Sequence, residues 1–144
     1  MPQPAPYSVQ IIPSLTYRDA PAAIEWLGAA FGFSPHLVVP GEGGTIEHAQ
    51  LTFGRGMIML GSAKDNPFGA IQRPPASPDA TVTQSLYVLV DDVDRHCARA
   101  AAAGAHIVMQ PEDQPYGGRL YLCRDVEGHL WCFGSYDPFA EAAG

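Results

Sequence analysis

Two pairs of segments in this chain match each other at one constant offset of 73 residues. Leu15-Thr16-Tyr17-Arg18-Asp19 lies over Val88-Leu89-Val90-Asp91-Asp92, and Met57-Ile58-Met59-Leu60-Gly61-Ser62 lies over Leu130-Trp131-Cys132-Phe133-Gly134-Ser135. Each early segment is a β-type run ending in acid before an Ala-rich stretch. Side-chain identity is low, so the shared offset carries the argument. A twofold repeat of this size is too short for a solenoid. It describes two similar modules in one domain with a cleft between them.

The periodicity within each copy fills in the modules. The first ten residues are Pro-rich and expected to be extended, and Val9–Tyr17 reads as a strand. Asp19 is an N-cap, Pro21 is tolerated in the first turn, and Ile24, Leu27 and Phe31 recur at helical spacing until Gly32. Phe33–Val39 is a strand, 40–44 a turn, and Ile46–Phe53 with Met57–Leu60 a hairpin around Gly54-Arg55-Gly56. The second copy runs through strand Gln84–Val90, N-cap Asp92, helix Val93–Ala103 ending at Gly104, and strand His106–Met109. It closes with a hairpin of Gly118–Arg124 and His129–Phe133 around 125–128. Module one spans about residues 9–62 and module two about 82–136. The Pro-, Gly- and Ser-rich connector 63–81 is long enough to be functional or mobile, and the tail after Asp137 is expected to be partly ordered.

Composition narrows the partners. The 144 residues suit one domain with a real core. A net charge of −7 with only 8 Lys and Arg argues against nucleic acid and against anionic membrane surfaces. No apolar run is long enough to span a bilayer, and no basic segment precedes an apolar one at the N-terminus, so neither anchor nor secretory signal is expected. Three cysteines without a C-x-x-C pair make no disulfide framework, which fits a cytoplasmic protein.

Paired β-α-β-β-β modules, with Val90-Asp91-Asp92-Val93-Asp94 opening the second helix and a late Asp125-Val126-Glu127-Gly128-His129-Leu130-Trp131 turn and strand, resemble the vicinal oxygen chelate superfamily. This group contains glyoxalase I, extradiol dioxygenases, fosfomycin-resistance enzymes and bleomycin-binding proteins. The segment Gln114-Pro115-Tyr116-Gly117-Gly118-Arg119 is similar to its PhnB-like and glyoxalase-family branch. The resemblance covers about residues 9–136 and implies an α+β fold, in which two tandem βαβββ modules curl their sheets around a shared cleft with helices outside. Val126 replaces the usual Pro of the late turn, while Gly128 still supplies positive φ. The resemblance also implies a homodimer.

Transferred residue by residue, the family's metal-ligand positions fall on Ile12, Met59, Ser85 and Cys132. A divalent Lewis-acid site wants three or four His or carboxylate donors. Ile and Met offer none, Ser is poor, and only Cys as thiolate is strong. No metal or other cofactor is therefore expected.

Strand alternation assigns the cleft lining. Met57, Met59, Leu130 and Cys132 should share a face with Ser14, Thr16, Ser85, Tyr87 and Leu89. His48, Gln50 and Thr52 should face the same way, since Ala49, Leu51 and Phe53 form an apolar face for the helix. The offset of 73 matches His48 to Tyr121 and Gln50 to Cys123, which brings Arg119 to that face. His48 is either a general base or a hydrogen-bonded structural histidine. Arg119 either anchors an anion or pairs with Asp113 or Asp125. Cys123 and Cys132 are expected opposite each other across the hairpin. His36, His96 and His106 read as structural or surface residues, Cys97 as core, and Asp91-Asp92-Val93-Asp94 as helix capping. Tyr116 beside Gly117-Gly118 is either a lid on a glycine hinge or the rim of an ordinary turn.

The expected function is small-molecule binding without the usual metal, the ligand being held by His48, Gln50, Met57, Met59, Ser85, Tyr87, Tyr116, Arg119, Tyr121 and Cys132. The alternative is a lyase or dioxygenase-type enzyme. It would use an atypical metal site built from His48, Cys132 and Glu47, or His48 or Tyr121 as a metal-free acid or base.

Overall fold

A computed structural model describes residues 9–140 of the chain. The N-terminal stretch expected to be extended lies, up to residue 8, outside the described residues, as does the end of the tail beyond residue 140.

Module one contains β1 (Ser14–Tyr17), α1 (Ala20–Phe31), β2 (Ser34–Pro40), a short 3-10 turn, β3 (Ile46–Phe53) and β4 (Gly56–Ser62). Module two contains β5 (Ser85–Leu89), α2 (Val93–Ala102), β6 (His106–Asp113), β7 (Arg119–Arg124) and β8 (Leu130–Gly134). The two four-stranded sheets have the same order, β1-β4-β3-β2 and β5-β8-β7-β6, and in both the first and last strands pair in parallel. The repeat read from the sequence is therefore a structural repeat. The first strand begins only at Ser14, because Pro13 has no N–H for the ladder although its carbonyl accepts from Met59 N at 2.8 Å. The strand β6 runs past Met109 to Asp113, since β7 pairs with it as far as Arg119.

Both helices start where a carboxylate satisfies free N–H groups. Asp19 accepts from Ala22 N at 3.2 Å and Asp92 from Arg95 N at 3.1 Å. Gly32 ends α1 in the left-handed region at φ 93°, with its N–H bonded to Gly28 O and Leu27 O. Each helix covers one face of its own sheet, and the covered faces share one core. Trp131, Tyr17, Tyr121, Phe31 and Phe133 are its largest fully buried side chains.

The modules are joined through this core and not by strand pairing. Phe31 of α1 packs on Trp131 and Phe133 of β8 at centroid distances of 5.1 and 4.7 Å. Trp26 Nε1 donates to Ala103 O at 2.8 Å, and Arg99 donates to Gly28 O and Ala29 O, both at 2.9 Å, at the carbonyl end of α1. The turn between β7 and β8 adds a polar clamp. Asp125, buried, accepts from Tyr17 Oη at 2.6 Å, Trp131 Nε1 at 3.0 Å and the N–H groups of Glu127, Gly128 and His129. Glu127 accepts from the N–H groups of Arg18 and Asp19, and His129 Nε2 donates to Thr16 O.

The connector is tied to both modules. Gln72 donates to Ser14 O and Thr16 Oγ1 along the outer edge of β1. Arg18 donates to Pro75 O, and Arg124 to Ala80 O. Pro74 and Pro75 are buried.

Candidate functional site

Each sheet has one face under its helix and one face turned away, here called the open face. In module one, β4 pairs with β3 so that Met59 stands beside Gln50 and Met57 beside Thr52. Ser14 pairs with Met59 from the other side. Ser14, His48, Gln50, Thr52, Met57 and Met59 therefore share the open face, as alternation predicts. Gln50 Nε2 lies 3.1 Å from His48 Nε2. With the amide as donor, His48 accepts through Nε2 and carries its ring hydrogen on Nδ1.

In module two, Tyr87 pairs with Cys132 and Ser85 with Leu130, and these join the open face as expected. The neighbouring strand does not follow the offset. Leu122, not Cys123, stands opposite Cys132, and Cys123 stands opposite Trp131. The reason is the hairpin turn. Phe53 and Gly56 close a turn over Gly54 and Arg55, whereas Arg124 and Leu130 close one over residues 125–129. The second turn carries one more residue than a constant offset allows. Because side chains alternate with period two, that single residue exchanges the faces of β7.

Three expectations are corrected by this exchange. Tyr121 is fully buried under α2 and stacks on Phe133 at 5.3 Å, so it stands under the helix and not on the open face. Its hydroxyl donates to His96 Nδ1 at 2.6 Å, while His96 Nε2 donates to Phe31 O at 2.9 Å. Burial raises the Tyr121 phenol far above its ordinary range and lowers the His96 imidazole, which leaves both neutral. Arg119 likewise points to α2. It forms a two-pronged pair with Asp94 at 3.0 and 3.0 Å and a further bond to Asp113 at 3.0 Å, so its guanidinium is committed. Cys123 and Cys132 lie on opposite faces of the hairpin. Burial pushes the Cys123 thiol up to about 12, and it also raises Cys132, more than a bond from Ser85 lowers it. In place of Arg119, Tyr121 and Cys123, the open face of module two gains Leu120, Leu122 and Arg124. Arg124 is held by Ala80 O and Gly128 O.

Tyr116 is 55% exposed and meets Tyr136 edge-on at 5.0 Å. Gly118, at φ 70°, has no room for a side chain, because a Cβ there would lie 2.7 Å from Tyr136 N. The glycine serves the turn, whose ends are closed by Gln114 N to Gly118 O at 2.9 Å.

The family's metal positions do not converge as a donor set. Ile12 precedes β1 and is partly exposed, Met59 is a thioether, Ser85 a hydroxyl, and Cys132 a protonated thiol. Among the described residues no three His, Cys, Asp or Glu side chains are close enough to hold a metal ion. The atypical set fails too, since Glu47 is engaged with Lys64 at 2.7 Å, while Cys132 belongs to the other module. These residues do not fit a divalent metal. A cavity of about 380 Å³ adjoins His48, lined also by Ser14, Thr16, Lys64 and Phe68. A second, of about 360 Å³, lies between Phe53 and the start of α2, beside Arg95 and His96. Neither links Met59 to Cys132.

Comparison with known proteins agrees with this architecture. Over 122 residues the chain is 34% identical to the uncharacterized protein Mb0911c of Mycobacterium bovis, covering 85% of this chain and 80% of that one. The crystal structure of TioX from Micromonospora sp. ML1 superposes with a TM-score of 0.69 at 37% identity, over 88% of this chain and 98% of TioX. The fosfomycin resistance protein FosX from Mesorhizobium loti, at 12% identity, shares the fold with a TM-score of 0.63 over 92% and 94% of the two chains. The family model described as the glyoxalase/bleomycin resistance protein/dioxygenase superfamily matches residues 9–133, and the chain belongs to that superfamily.

Proposed function

We propose that the protein binds a partly aromatic small molecule on the open faces of its sheets, without a metal. The observation that carries this reading is the donor set: Ile12, Met59, Ser85 and Cys132 occupy the positions where the resemblance puts metal ligands. What those faces offer instead is soft and apolar, with Met57, Met59, Leu120, Leu122, Leu130, Tyr87 and Cys132, and His48 with Gln50 as the orienting pair. Apolar burial at about 25 cal/mol per Å² supplies the affinity, and the polar pair sets the pose.

In this reading the protein works as a homodimer in the cytoplasm. Leu37, Val38 and Val39 on the edge strand β2, and Leu89 on the edge strand β5, are between 39% and 46% exposed, apolar edge surface that pairing with a second copy would cover. Three cysteines free of disulfides suit a reducing compartment. Sedimentation should give twice the 15.4 kDa chain mass, and a monomer alone at micromolar concentration would remove the dimer and leave the binding site standing.

The test of function is a screen of aromatic small molecules by protein-detected NMR, on protein stripped with chelator. Binding should shift signals of Gln50, Met57, Met59 and Tyr87 and be unchanged by added metal. Binding or turnover that appears only with zinc, nickel, iron or manganese would overturn the proposal.

A further inference from the structure

We propose that three half-exposed tyrosines of module two, Tyr87, Tyr116 and Tyr136, form a stacking site for a planar aromatic cation. The proposal rests on the open faces being the ligand surface and adds the chemical class of the ligand.

The described tyrosines divide sharply. Tyr17 and Tyr121 are fully buried, whereas Tyr87, Tyr116 and Tyr136 are 43%, 55% and 38% exposed and gather at one end of the second sheet. The ring of Tyr87 rests against Gly134, where a Cβ would come within 2.6 Å of its oxygen and 2.9 Å of a ring carbon. Only glycine at that position lets the ring settle on the sheet. The Tyr87 hydroxyl is committed, donating to Tyr136 O at 2.6 Å. Tyr136 in turn meets Tyr116 at 80° between ring planes. With its hydroxyl hydrogen spent on Tyr136 O, Tyr87 offers a visitor the face of its ring and no donor.

Charge selects the visitor. Partial burial raises the Tyr87 phenol most, the neighbouring Tyr116 and Asp137 raise it further, and its bond to Tyr136 O opposes them. The arginine closest in the chain, Arg119, is spent on Asp94 and Asp113 across the sheet. The chain as a whole carries −7. An anion meets the repulsion of Asp137, and a neutral ring gains only stacking. A delocalised cation gains the negative ring faces and the Asp137 carboxylate together.

Calorimetric titration of the chelator-treated full chain, at pH 8 and about 0.15 M salt to screen diffuse attraction, tests this with N-methylacridinium, neutral acridine and acridine-9-carboxylate. The expected result is one saturable site that prefers the cation roughly fivefold over acridine, with the carboxylate weakest. Tyr87→Leu and Tyr116→Leu should each weaken the cation by roughly fivefold. Tyr87→Phe should keep most of the affinity, and Asp137→Asn should reduce the preference for the cation over acridine without abolishing it. Equal affinity for cation and carboxylate, a preference untouched by Asp137→Asn, or affinity indifferent to both leucine variants in folded protein would overturn the tyrosine site. No saturable binding of the three probes overturns it as well. Where rings bind but depend on His48 and Met59 instead, this proposal falls and the open-face reading stands.

Discussion

The two modules repeat one topology, yet their hairpins differ by a residue, and that difference decides which side chains a ligand can meet. In module one a two-residue turn over Gly54 and Arg55 keeps His48 and Gln50 on the open face. In module two the longer turn over 125–129 sends Arg119, Tyr121 and Cys123 under α2 and leaves Leu120 and Leu122 outside. One open face consequently carries His48, Gln50 and two methionines, and the other carries Leu120, Leu122, Leu130 and Tyr87 with Cys132 and Arg124. The extra length has a use. It forms the buried Asp125 hub and the Glu127 arm that fasten module two to the start of α1, whereas among the described residues nothing comparable projects from the turn in module one.

The largest expected effect follows from that asymmetry. Asp125→Ala strands the Tyr17 hydroxyl and the Trp131 N–H in the core and frees three backbone donors, so it should cost about 3–4 kcal/mol by chemical denaturation. Arg55→Ala, in the corresponding turn of module one, should stay within about 0.5 kcal/mol. Equal effects would show that the two turns do the same work, and the comparison would break.

A smaller loss is expected from Tyr121→Phe. It removes a bond to His96 and should cost about 1–2 kcal/mol while leaving ligand affinity unchanged. A loss of affinity at full stability would return Tyr121 to the site.

The same seam sets a pH dependence. Burial holds the folded-state pKa of His96 below its ordinary value, against the opposing pull of its bond to Phe31 O. Protonation then favours the unfolded chain. The contribution of His96 to stability is complete above the ordinary histidine pKa of about 6.5 and is lost as pH falls below it toward the lowered folded value. Melting temperature measured from pH 7.5 to 5 should fall more in the natural protein than in His96→Gln. Parallel curves would contradict the assignment. The smallest structural effect belongs to His48→Ala, which should leave stability within about 0.5 kcal/mol and weaken ligand binding several-fold.

The fold was legible because its signals are local and doubled. Asp19 and Asp92, Gly32 and Gly104, and the alternation of 46–53 each mark an element boundary or face through backbone chemistry alone. Half of the open face was legible for the same reason, since pairing in β1, β4, β5 and β8 keeps the offset of 73. The strand β7 was not. Leu120, Leu122, Tyr121 and Cys123 are all compatible with burial, so hydropathy does not choose a face, and a repeat offset carries no information about a residue inserted in a turn. Trp131 and Phe133 hold the missing signal: both are large, apolar and alternate with Cys132, which marks them for the core, and counting back across a five-residue turn places Cys123 and Tyr121 beside them. The intermodule role of Asp125 is a contact over 108 positions, which no local pattern contains.

Metal-independence is the claim on which the functional account turns. The most direct measurement is elemental analysis of protein purified without chelator, paired with ligand titration before and after stripping. The account predicts substoichiometric metal and one unchanged affinity. Stoichiometric zinc, nickel, iron or manganese, with affinity lost on stripping and restored on reloading, would contradict it.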